Sequence, residues 1–66
     1  MLSRKMKELR KANGLTQKEL AMLVGVCVDS VRRWEHGTRK PRADELARFA
    51  IKVGVHDLDI LFKEAV

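Results

Sequence analysis

Apolar residues recur at helical spacing along nearly the whole chain, and no stretch shows the strict alternation of a half-buried strand. This restricts the fold to packed helices. Leu2, Met6 and Leu9 stand at i, i+4 and i+7 on one stripe, with Arg4, Lys5, Lys7, Glu8 and Lys11 around the rest and Gly14 as a stop. Thr16 followed three residues later by Glu19 is a capping-box pattern, ahead of Leu20, Ala21, Leu23 and Val24, and Gly25 ends that segment after two turns. Beyond it, Val31 and Trp34 face inward until Gly37, and Gly37-Thr38-Arg39-Lys40-Pro41-Arg42 reads as a loop. Asp44 and Glu45 suit the first turn of a further helix, where the dipole favours acids, and Leu46, Phe49, Ala50 and Val53 carry the stripe to Gly54. Asp57 can cap a short last helix containing Leu58, Leu61 and Phe62. The pattern predicts five helices, near residues 2–12, 17–24, 28–36, 43–53 and 57–64, in one all-α domain over 1–66.

At 66 residues, one domain is all that fits, and it buries only about 60% of its unfolded surface. Disulfides cannot make up the deficit, because Cys27 is alone. With His36 and His56 as the only histidines, no metal-ligand spacing exists. The hydroxyls of Ser3, Thr16, Ser30 and Thr38 have no clustered histidine, there is no Tyr and no Gly-rich phosphate loop, so no enzyme, metal or cofactor is expected. No run approaches the ~18 apolar residues of a membrane span, and Met1-Leu2-Ser3-Arg4-Lys5 does not open a signal peptide. The expected location is the cytoplasm.

Charge is unevenly spread. Residues 1–42 hold 11 Lys/Arg against 4 Asp/Glu, whereas residues 43–66 hold 3 against 5. A basic segment of this kind suits nucleic acid or an anionic membrane surface, although a merely solvated charged face is also common.

Two short helices joined by a glycine-containing turn, the second of them basic, outline a helix-turn-helix over about residues 17–36. Ala21 is small where the two helices would cross closely, Gly25 stands at the turn, and Val26, Val31 and Trp34 supply apolar contacts. In wording and spacing, Leu15-Thr16-Gln17-Lys18-Glu19-Leu20-Ala21, Gly25-Val26, Arg33-Trp34-Glu35-His36-Gly37 and Lys40-Pro41 resemble the Cro and phage-repressor (XRE) helix-turn-helix family over about residues 4–62. The resemblance implies a compact five-helix bundle of the lambda-repressor-like type, with the third helix in the major groove of double-stranded DNA.

Carried over residue by residue, the resemblance makes Gln17 a phosphate contact at the start of the second helix. It places Val28, Asp29, Arg32 and Arg33 on the exposed face of the recognition helix, with Arg33 a base reader and Arg32 open between base and phosphate. Arg10 and Glu35 match a structural ion pair tying the first helix to the end of the third, and Lys40 and Arg42 lie in a loop that grips the backbone or enters the minor groove. Three positions depart from the family pattern. Cys27 stands where Ser or Thr usually caps the recognition helix, so the cap should be weaker; a redox-sensing thiol is the alternative to an inert one, and a buried or half-buried free cysteine is usually inert. Asp29 replaces an amide and would favour a base amino group or simply hold Arg33 four residues on. Val55-His56-Asp57 is about one residue longer than typical. Ile60, rotated about 200° from Leu58, lies off the inward face of the last helix and suits a homodimer contact.

These features imply a sequence-specific operator-binding transcriptional regulator, by default a repressor. A toxin–antitoxin antitoxin or a restriction-modification controller would carry the same helices, with a toxin or RNA polymerase as a protein partner. A protein-interaction module that has lost its operator is the rival of another class, and Arg32, Arg33, Arg39, Lys40 and Arg42 count against it.

Overall fold

The computed structural model describes residues 1–55. Four helices occur among the described residues, α1 (Leu2–Ala12), α2 (Gln17–Val24), α3 (Val28–His36) and α4 (Ala43–Val53), and none of them is long and apolar enough to cross a membrane. The expected fifth helix over 57–64, and Ile60 with it, lie outside the described residues.

Local chemistry explains the boundaries. At the start of α2, the Thr16 hydroxyl accepts the Glu19 N–H at 3.0 Å and the Glu19 carboxylate accepts the Thr16 N–H at 2.9 Å, satisfying two donors that a helix start leaves open. At its other end Gly25 takes φ of 81°, and both Gly25 and Val26 donate to the Ala21 carbonyl, at 2.9 and 3.0 Å. A β-carbon would strain that left-handed turn, which is the bend from α2 into α3.

The core lies where the helices meet. Leu2 and Met6 of α1, Leu20, Ala21 and Val24 of α2, Val31 and Trp34 of α3, and Leu46, Phe49, Ala50 and Val53 of α4 are all buried. Leu23, apolar like its neighbours in α2, is 46% exposed. It sits roughly 100° from the centre of the stripe formed by Leu20, Ala21 and Val24, so the helix turns it outward. Fixing α3 by Val31 and Trp34 leaves its opposite face for other contacts.

Candidate nucleic-acid interface

Helix α3 buries Ser30, Val31 and Trp34 and exposes Asp29, Arg32 and Arg33. The Asp29 carboxylate meets Arg33 Nε at 2.9 Å and Arg32 Nη1 at 4.0 Å, with all three side chains more than half exposed. Val28 departs from the expected open face. It is half-buried against the core, because one turn separates it from Val31 and the two share a side of the helix.

Behind this face stands a polar junction. Arg10 donates from Nε and Nη2 to the two Glu35 oxygens at 2.7 and 3.0 Å, and from Nη1 to the Leu15 carbonyl at 2.7 Å. One guanidinium thereby joins α1, the segment before α2, and the last turn of α3. Gln17 Nε2 also donates to Glu35, at 3.1 Å, which steadies its side chain at the first position of α2 and leaves the second amide hydrogen for another acceptor. Burial pushes the Glu35 carboxyl up, but hydrogen bonds from Arg10 and Gln17 and the charges of Arg10 and Lys7 outweigh it and hold the group below the usual carboxylate range.

The loop after α3 carries Lys40 and Arg42, both exposed. Arg42 is not an isolated cation, since its guanidinium lies 3.4 Å from Asp44 and 3.7 Å from Glu45. In sequence Arg39 counts only among the cations that favour DNA, and its part in holding the loop is missed. Arg39 donates to the buried Ser30 hydroxyl at 2.8 Å and lies 3.6 Å from Glu45, so it clasps the loop between α3 and α4. The signal was a serine in the buried phase of α3, 40° from Trp34 at about 100° per residue, which demands a polar partner.

Cys27 occupies the N-cap of α3 without a side-chain cap bond, and its thiol lies 3.2 Å from the Ser30 hydroxyl. The thiol is exposed rather than buried, and chiefly its hydrogen bond with the Ser30 hydroxyl lowers its pKa from the ordinary value. A hydroxyl at this place is a better acceptor for a first-turn N–H. Cys27→Ser should therefore raise stability by about 1 kcal/mol, read as a higher melting temperature, and an unchanged or lower one would show the cap geometry to be unsuited to an oxygen.

Among the described residues, no group of His, Cys, Asp and Glu is placed to hold a metal ion. Comparison with known proteins gives a family model described as helix-turn-helix, matching residues 6–60. The antitoxin PezA of Streptococcus pneumoniae serotype 4 (strain ATCC BAA-334 / TIGR4) is 34% identical over 61 residues, which make up 92% of this chain and 39% of PezA. The chain thus spans about two-fifths of that relative's length. No solved structure matches significantly.

Proposed function

Because the chain belongs to the helix-turn-helix family, of the XRE type, we propose that it is a sequence-specific double-stranded DNA-binding regulator that reads the major groove with α3. The observation that carries this reading is the exposed arc of Asp29, Arg32 and Arg33 on a helix held from behind by Val31 and Trp34. A helix seated in this way holds its exposed side chains in a fixed register, which readout of base edges requires. The Gln17 side-chain amide and the Gln17 and Lys18 N–H groups at the start of α2 supply a phosphate contact beside it, and Lys40 and Arg42 extend the basic surface into the following loop.

Repression by a homodimer is the finer form of the proposal, with Ile60 as a contact between copies. The dimer would require two half-sites centred about one helical turn apart, ~10–10.5 bp, or a multiple of that. Ile60→Lys should weaken binding to a two-half-site operator much more than to one half-site; equal loss on both would count against a dimer built there. The similarity to an antitoxin favours a second reading, in which the same domain also serves a protein complex with a toxin.

Duplex binding against salt tests the core of the proposal. Each phosphate neutralised contributes a slope near −0.9, so a steep decline is expected, and a flat response would indicate a module that binds protein instead. Specificity is tested by substitution. Arg33→Ala should cost about 1–3 kcal/mol on the preferred operator and relax discrimination at one base pair per half-site. Lys40→Ala should weaken all duplexes alike and flatten the slope by about one unit per protomer. Arg42 would follow Lys40, or else impose a preference for A·T-rich flanks that its substitution removes.

A further inference from the structure

The guanidinium of Arg33 offers two edges with paired donors, one formed by Nε with an Nη and one by the two Nη groups at its end. Asp29 Oδ2 lies 2.9 Å from Nε and so occupies the first edge. The second edge, at the tip of the side chain, remains for an acceptor pair in the groove, and O6 with N7 of guanine is such a pair. As a first-turn acid of α3 and a solvated i, i+4 partner, Asp29 adds only modestly to stability, and the pair with Arg33, both side chains more than half exposed, contributes little of it. Its second neighbour, Arg32 at 4.0 Å, gives the same carboxylate another positive charge on its other oxygen.

Resting on the reading of α3 as a groove-reading helix, we propose that Asp29 is a positioning residue that makes Arg33 selective for guanine by holding it end-on and by opposing every other use of it. Over guanine, Arg33 keeps its Nε on Asp29 while its tip engages O6 and N7. Over another base, or on random duplex where an arginine turns to a phosphate, Arg33 must leave Asp29. The carboxylate then faces the negative DNA with less positive charge beside it, and the repulsion falls on the wrong complexes alone. Asp29 thus contributes to specificity as a repulsive element, even though it makes no base contact of its own.

The test uses the whole chain, a randomised duplex library and a salt titration, on the wild type, Asp29→Ala, Arg33→Ala and the double variant. Alanine is chosen because an asparagine there could itself pair with adenine. Melting curves confirm that each variant is folded. Wild type should select guanine at one position per half-site. Asp29→Ala should bind random duplex about tenfold more tightly and with a steeper salt slope, while its preference for guanine falls by about the same factor. In the Arg33→Ala background the same substitution should leave base preferences unchanged, because the residue it positions is gone. Guanine selection that survives intact in Asp29→Ala overturns the role of Asp29 and leaves the DNA-reading function standing. A base preference that Asp29→Ala alters in the absence of Arg33 overturns it too, by making Asp29 a reader itself. A wild type with no base preference overturns both.

Discussion

Glu35→Ala is expected to cost about 3–5 kcal/mol, a large part of what a small domain has to lose. The side chains of Arg10 and Glu35 are only 10% and 4% exposed, so removing the carboxylate strands a guanidinium that water reaches poorly. Arg10 would keep its bond to the Leu15 carbonyl but lose both bonds to α3, and Gln17 would lose its acceptor. Arg10→Ala leaves the complementary defect, a buried carboxylate held by Gln17 alone among the polar contacts of that junction. In the double variant neither charge is stranded. Urea denaturation of the two single variants and the double should therefore show the double losing less than the sum, by about 0.5–3 kcal/mol. Strict additivity would mean that the two groups do not depend on each other.

The same junction sets a pH dependence. Glu35 has its pKa lowered in the folded chain, so its contribution is complete above the ordinary carboxylate pKa of about 4.3 and is lost as pH falls through the lower folded value. Glu19 is shifted in the same direction, chiefly by its hydrogen bond with the Thr16 backbone, and adds to the same acid window. Unfolding measured from neutral pH downward should steepen there for the wild type, and Glu35→Ala should show a shallower decline from its lower starting stability.

Helix positions were legible in the residue pattern because an apolar stripe and a glycine stop agree at each one. The expected 2–12, 17–24, 28–36 and 43–53 coincide with α1 to α4. Faces were less legible at the edges of stripes. Leu23 and Val28 are both apolar and both lie at the margin of a stripe, where the rotation from its centre leaves Leu23 exposed and Val28 half-buried, a distinction that apolar character alone does not make. Contacts across the fold are a different matter. Arg10 and Glu35 are 25 positions apart, and only the resemblance to a motif joins them in sequence. The clasp of Arg39 had no such aid, because a loop conformation leaves no repeat, and Glu45 could be read from its place as an acid suited to a helix start without revealing what else it holds.

Glu45 is the second residue whose loss should be felt strongly. Its side chain is 4% exposed, and it accepts the Arg42 N–H at 2.8 Å, one of the donors that the start of α4 leaves open. An arginine N-cap has no acceptor in its own side chain, so this carboxylate does the capping from the third helical position. Glu45→Ala should accordingly lower stability by about 2–3 kcal/mol, the range for a hydrogen bond to a charged group with its donor left behind. The nearby Arg39 and Arg42 guanidinium groups, at 3.6 and 3.7 Å, add little to that figure because they are 41% and 69% exposed. Their part shows in a second variant. Glu45→Gln keeps an oxygen for the Arg42 N–H but removes the charge that draws Arg39 and Arg42 toward α4. It should therefore stay closer to wild-type stability while the two cations become available to phosphates, steepening the salt dependence of duplex binding. If Glu45→Gln destabilises as much as Glu45→Ala and leaves the salt slope unchanged, the carboxylate acts on the fold alone and the clasp has no bearing on the DNA-facing loop.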